Sequence, residues 1–289
     1  MARTVLITGC RSGFGLLTAK AAAEAGWIVY AGLRDRSTAD ELLRVTAGLD
    51  VRPLQLDITS ASDRDAAVRQ IAEEEGGLDG LVNNAGRALG GFLELVEEDE
   101  LRSLFEVNVF GTWAMTRALL PLLRERPKST VVMVSSTSGI TALPGLGAYA
   151  ASKFALEGMG EAWRHELALF GIRVVLLEPG AYATDIFSRN RRISRGVQAS
   201  GIYAPWSAGI LQLFDGTVAR IARDPIEVST AIVRILEHRR PPLRYPLGPS
   251  SSLRGVLRWL IPSRISEGIM QRVLEHARRT SAAQIDKAP

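Results

Sequence analysis

Apolar residues fall in short blocks that alternate with longer amphipathic stretches through the first 180 residues. The blocks predict strands at Thr4–Thr8, Ile28–Leu33, Val51–Gln55, Gly80–Asn83, Val131–Val134 and Arg173–Glu178. The stretches between them predict helices over Gly13–Ala25, Ser62–Glu75, Asp99–Leu122 and Tyr149–Phe170. The middle strands are apolar on both faces, the pattern of parallel strands covered on both sides. Strand, crossover helix and strand, repeated, predict an α/β fold with a doubly wound parallel sheet. S-D-R-D at Ser62–Asp65 reads as a capping box, and Glu97–Glu100 suits the dipole at the head of the next helix.

After Thr184 the pattern loosens. Asp185–Tyr203 holds Arg189, Arg191, Arg192 and Arg195 among glycine and serine. Helical patterns resume near Pro205–Arg223 and Pro225–Glu237, and Leu243–Tyr245 reads as a last strand. In the tail Leu253, Val256, Leu257 and Leu260 follow helical spacing, with Arg254 and Arg258 on another face. That face suits core or dimer packing; beside Trp259 it also suits a lipophilic pocket or a membrane-surface contact. With no repeats and no linker, 1–289 is expected to be a single domain. Its 1–184 part would be the cofactor and catalytic core, and 185–289 the lid, last strand and C-terminal helices.

Composition narrows the function classes. The 289 residues are 46% hydrophobic and 23% charged, ordinary for a globular chain. The single cysteine, Cys10, excludes an internal disulfide framework and suits a reducing, cytoplasmic location. The three histidines lack metal-ligand spacing, so no metal is expected. No apolar run is long enough to span a membrane. The net charge of +4 is modest, and without a recognition motif it points to no nucleic acid.

The candidate chemistry lies in Val134–Leu156. Tyr149 and Lys153 are four apart, so a helix puts them on one face, one turn from each other. A lysine ammonium there favours the phenolate and makes tyrosine a proton donor or acceptor nearer neutral pH. Ser136 lies where a buried strand ends, with a hydroxyl for a substrate oxygen. Upstream, T-G-C-R-S-G-F-G at Thr8–Gly15 follows a strand and opens a helix. Gly9 permits a tight turn, and Gly13 and Gly15 let a pyrophosphate approach the helix N-terminus. The second strand ends in A-G-L-R-D. Arg34 there, with Arg11 in the glycine loop, suits a 2′-phosphate, whereas Asp35 suits a ribose hydroxyl. NADP(H) is therefore preferred and NAD(H) stays possible. Asp57 after the third strand would bond an adenine amine or cap a turn. In N-N-A-G the small Ala85 and Gly86 admit a cofactor while Asn84 bonds loop groups. Asn108 sits mid-helix between Val107 and Val109, which argues for a buried, hydrogen-bonded side chain.

The glycine motif, N-N-A-G, Asn108, Ser136, Y-x-x-x-K and Pro179–Gly180 occur together in an order that resembles the short-chain dehydrogenase/reductase family. The 17β-hydroxysteroid and retinol dehydrogenase branch is nearest, through M-A-R-T-V-L-I-T-G-C, A-G-L-R-D, A-S-K-F-A-L-E-G and L-R-Y. The resemblance implies a Rossmann-type sheet and interconversion of a lipophilic alcohol and ketone, of steroid, retinoid or fatty type. It makes Tyr149 the acid/base, with Ser136 polarising the substrate oxygen. Lys153 would bond the nicotinamide ribose and tune Tyr149, and Asn108 would hold a helix kink and a relay water. Ser12 and Phe14 would join the phosphate loop, Ile58 the adenine side, and Pro179, Gly180 and Thr184 the nicotinamide side. Phe14 stands where the family usually has isoleucine, and Arg11 where a small residue is common. The region after Thr184 becomes a substrate lid, with Leu143, Phe187 and Trp206 as apolar substrate candidates. The family commonly forms a homodimer or homotetramer through the helices matching Asp99–Leu122 and Tyr149–Phe170. Two other functions stay open: a 3-oxoacyl-thioester reductase whose basic lid meets an acidic carrier, and a dinucleotide-sensing protein without turnover. Replacing Tyr149 by Phe is expected to abolish turnover while sparing cofactor binding, read by steady-state kinetics beside a cofactor titration.

Overall fold

The structure is a computed structural model that describes residues 2–184, 186, 191–198, 201–248 and 260–285. In chain order its elements begin with β1 (Arg3–Thr8), α1 (Gly13–Glu24), β2 (Trp27–Leu33), α2 (Asp40–Val45), β3 (Val51–Gln55) and α3 (Ala61–Glu75). The middle holds β4 (Gly80–Asn83), β5 (Ala88–Gly90), α4 (Glu98–Phe105), α5 (Thr112–Arg124), β6 (Thr130–Val134), α6 (Gly147–Glu166) and β7 (Arg173–Pro179). The remainder is β8 (Arg191–Ile193), α7 (Arg195–Gln198), α8 (Ala204–Ile221), α9 (Ile226–Glu237), β9 (Arg244–Leu247) and α10 (Ser263–Ile285).

Seven strands form one parallel sheet in the order β3-β2-β1-β4-β6-β7-β9. The chain reverses its direction of travel across the sheet after β3, which makes the fold doubly wound. Pro53, which lacks a donor, is accommodated because β3 is an edge strand. One face packs Val5, Ile7, Val29 and Val132 against α1 and α9. The other packs Leu6, Leu81, Val131 and Met133 against α3, α5 and α6. Each such side chain contributes about 1.5–3 kcal/mol when fully buried. Gly160 lets α6 lie close on the sheet, since a Cβ there would come within 2.6 Å of Leu176 Cδ2.

The structure differs from the sequence expectations at identifiable places. The helix after β3 is capped by Ser60, whose Oγ accepts from Asp63 N at 3.2 Å, rather than by a box at Ser62–Asp65. The next helix opens with a reciprocal box between Glu97 and Glu100. It is not continuous to Leu122: a π-helical segment, Glu106–Gly111, separates α4 from α5. β5, β8, α2 and α10 were not anticipated, being short or, for α10, polar on most of its surface. Leu260 is exposed, while Leu253, Arg254, Val256, Leu257, Arg258 and Trp259 lie outside the described residues, as do Phe187 and Arg189. Among the described residues no helix is long and apolar enough to cross a membrane. Ser60→Ala is expected to cost about 1 kcal/mol in denaturant unfolding, and Ser62→Ala only a few tenths.

Candidate active site

Because the large sheet is parallel, every strand ends on the same edge, and the loops leaving that edge line one cleft of about 530 Å³. Gly9, Arg11, Ser12, Gly13 and Phe14 come from the β1–α1 loop. Arg34 and Asp35 follow β2, Asp57 and Ile58 follow β3, and Asn84, Ala85 and Gly86 follow β4. Ser136 follows β6, Tyr149 and Lys153 project from α6, and Pro179, Gly180 and Thr184 follow β7.

The glycine loop is locked from beside and beneath. Gly9 has φ +73°, a left-handed conformation natural only to glycine. Asn84 Nδ2 donates to Thr8 O at 2.8 Å and Gly9 O at 3.1 Å, while Thr8 Oγ1 accepts from Asn84 N and Ala85 N. Gly15 does not line the cleft: it packs under the loop, where a Cβ would sit 2.3 Å from Gly9 O. Helix α1 has no acidic residue in its first turn, so nothing there opposes an anion near its N-terminus. This loop, which side chains on Gly9 and Gly15 would force apart from Asn84 and Ala85, fits a dinucleotide pyrophosphate.

At the second position the two arginines and the acid line the same cleft but differ in their partners. Arg34 and Arg11 both line the cleft. The Asp35 carboxylate is engaged nearby, accepting from Ser37 N at 2.9 Å and Ser37 Oγ at 2.6 Å, which holds it below the usual carboxylate range. Asp57 likewise caps a turn, accepting from Thr59 N and Oγ1, with its residue still at the cleft wall.

Ser136, Tyr149 and Lys153 are all buried. Ser136 hydrogen-bonds the Tyr149 hydroxyl and accepts from Ser138 N at 3.1 Å. Burial pushes Tyr149 up to about 12 and pulls Lys153 down to about 8. The expected depression of Tyr149 by its neighbour is thus outweighed: removing both groups from water disfavours both charged forms. Lys153 Nζ instead donates to Val134 O at 2.8 Å, and lies 5.8 Å from the Tyr149 ring centre. Asn108 is buried in the π-helical segment behind Gly86. Its Oδ1 accepts from Arg87 N at 2.9 Å, and its Nδ2 donates to Arg87 O and Ser152 Oγ.

Leu143 and Trp206 do not line the cleft. They were chosen for apolar character, which does not set direction; on α8 the residues that line a second cavity are Ser207, Ile210 and Leu211. With Phe92, Ile193 and Val197 these bound a small apolar cavity. Phe92 stacks on Tyr203 with ring centres 4.6 Å apart. Arg87 and Arg192 also line the cleft and were missed. Arg87 directly follows N-N-A-G and was legible there; Arg192 needed the β5–β8 pairing to place it.

The chain matches the short chain dehydrogenase family over residues 3–194. It is 36% identical over 245 residues to a 3-ketodihydrosphingosine reductase of Bacteroides thetaiotaomicron, covering 85% of this chain and 87% of that protein. It is 35% identical over 253 residues to 17-beta-hydroxysteroid dehydrogenase type 1 of Mus musculus, covering 83% and 72%. A solved short-chain dehydrogenase from Streptomyces avermitilis superposes with a TM-score of 0.80 at 34% identity, over 94% of this chain and 98% of that one. The chain belongs to the short-chain dehydrogenase/reductase family and has hydroxysteroid-dehydrogenase-like neighbours. It is an oxidoreductase that binds a nicotinamide dinucleotide.

The buried lysine generates a prediction. Its folded pKa, about 8, lies below the ordinary 10.5, so at neutral pH folding must desolvate a charge. Lys153→Met is therefore expected to stabilise the protein at pH 7 by about 1–3 kcal/mol while abolishing turnover. The gain should shrink as pH rises from 8 towards 10.5, as read by thermal unfolding across pH.

Proposed function

We propose that this chain is an NADP(H)-dependent reductase of a lipophilic ketone, working reversibly on the matching secondary alcohol. The observation that carries the reading is the hydrogen-bonded pair of Ser136 and Tyr149 beside Lys153, in the cleft that the glycine loop floors. When bound, the nicotinamide supplies the hydride. Ser136 and Tyr149 orient the substrate oxygen, and Tyr149, protonated at neutral pH, gives it the proton. Lys153 holds the nicotinamide ribose and carries positive charge beside the phenol as it becomes anionic. Asn108, through Arg87 and Ser152, holds the segment that separates it from Lys153.

Arg34 and Arg11 support NADP(H), and the engagement of the Asp35 carboxylate by Ser37 weakens the claim of NAD(H). Arg87 and Arg192 add positive charge to the same cleft. The steroid and sphingoid substrates named for the relatives support a lipophilic substrate. An acidic carrier is less well supported, because Arg191 pairs with Asp215 at 2.6 Å and Arg195 with Asp99 at 2.6 Å. We place the functional division near residue 184, with a cofactor core before it and a lid after it. Exposed Phe110, Trp113 and Phe170, on or beside the helices expected to pair, support a homo-oligomer.

Titration with NADPH and NADH at fixed salt tests the cofactor. NADPH is expected to bind at least tenfold tighter, and Arg34→Ala to weaken NADPH by about 1–3 kcal/mol with little effect on NADH. Equal losses for both cofactors would refute the 2′-phosphate assignment.

A further inference from the structure

Behind the acid/base pair lies a second group of ionisable residues that the proposed reaction does not use. Glu157 is one helical turn beyond Lys153 on α6, and Glu178 is the penultimate residue of β7. Their residues are only 6% and 2% exposed. Glu157 Oε1 and Glu178 Oε1 are buried with no hydrogen-bond partner among the described residues, and Arg244 reaches both carboxyls, which brings them side by side. Two carboxylates cannot hydrogen-bond each other, and two buried anions side by side are costly. One proton between them removes both difficulties.

The charged surroundings are few. Arg244, on the neighbouring edge strand β9, places Nη1 3.1 Å from Glu157 Oε2 and Nε 3.8 Å from Glu178 Oε1. Its other nitrogen, Nη2, is 3.3 Å from Glu161. Lys153 faces Glu157 from the preceding turn of α6. Ser135, next to Ser136, faces Glu157 under the Gly139 turn, where an added Cβ would be 2.9 Å from Ser135 Oγ and 3.0 Å from Glu157 Cγ. Arg244 is partly exposed and closes the group towards solvent.

We propose that Glu157 and Glu178 share one proton, and that the single negative charge they keep holds the Lys153 ammonium in its charged form. They are positioning residues: neither touches the reacting atoms, and they act through Lys153. Burial raises both carboxyls, Glu178 to about 7, so the shared proton persists to neutral pH. The charge on Glu157 opposes the burial that pulls Lys153 down. Arg244 does not saturate the pair, because it also serves Glu161.

This inference rests on the assignment of Tyr149 and Lys153, and the test separates the two. Ketone reduction by the full-length enzyme is followed across pH for wild type, Glu157→Gln and Glu178→Gln, with thermal unfolding as a control for folding. Glu157→Gln is expected to move the alkaline limb of the profile down by about one pH unit. Glu178→Gln, whose amide still donates to Glu157, is expected to move it less. A Glu157→Gln profile that superimposes on wild type would overturn the proposal, because a purely structural role changes amplitude and leaves the limb in place. The infrared carbonyl band of a protonated carboxyl supplies an independent readout on the unaltered protein. It is expected at neutral pH and lost in either single variant; its absence from wild type also overturns the proposal. Full turnover by Tyr149→Phe would instead sink the acid/base assignment, and the infrared result would still decide whether the carboxyls share a proton.

Discussion

The common direction of the seven sheet strands is the constraint from which the rest follows. A parallel sheet sends every carboxyl end to one edge, so loops as far apart in the chain as those of Gly9 and Thr184 are gathered into a single cleft without long insertions. The price is that each crossover needs a helix, and both faces of the sheet are thereby sealed. The edge is then the place where polar backbone and functional side chains concentrate. Asn84 shows how tightly the edge is knit: its one amide ties the end of β4 to the carbonyls of Thr8 and Gly9 at the end of β1.

Within that edge Tyr149 and Lys153 sit against the grain of their surroundings. Tyr149 and Lys153 are surrounded by protein, and burial opposes charge on both. The local structure compensates by fixing geometry. Val134 O receives the ammonium, Ser136 meets the phenol, and the π-helical segment turns Asn108 inward to the backbone of Arg87. Each of these contacts uses a group at the end of a strand or at an irregularity in a helix, where the backbone is not consumed by its own ladder.

Most of this was legible because its signals are local. Strand blocks, the glycine loop and N-N-A-G are read within a few residues, and β1 to β4, β6 and β7 fall within a residue or two of expectation. The fold that they predict is the one present, and the family to which the chain belongs followed from their conjunction. What was not legible depends on direction or on distant partners. Apolar character alone did not reveal that Trp206 and Leu143 stand away from the cleft. Helical periodicity runs on through Glu106–Gly111, since one extra residue per turn leaves no mark in composition. The Tyr149 environment was misjudged because spacing reports the nearby charge and says nothing of the desolvation that outweighs it.

The β5–β8 pairing bears on how such a scaffold changes over time. The segment after β7 is fastened by main-chain hydrogen bonds between Ala88–Gly90 and Arg191–Ile193, which any residue but proline can make. Arg191 adds a side-chain tie to Asp215, while Arg192 and Ile193 hold the pairing through the backbone. Arg191 and Arg192 face the large cleft and Ile193 the apolar cavity, so exchange at these three positions alters what the cleft admits while the segment keeps its place. Cleft lining and main-chain pairing draw on different atoms of the same three residues, and the lining can drift while backbone geometry keeps the pairing.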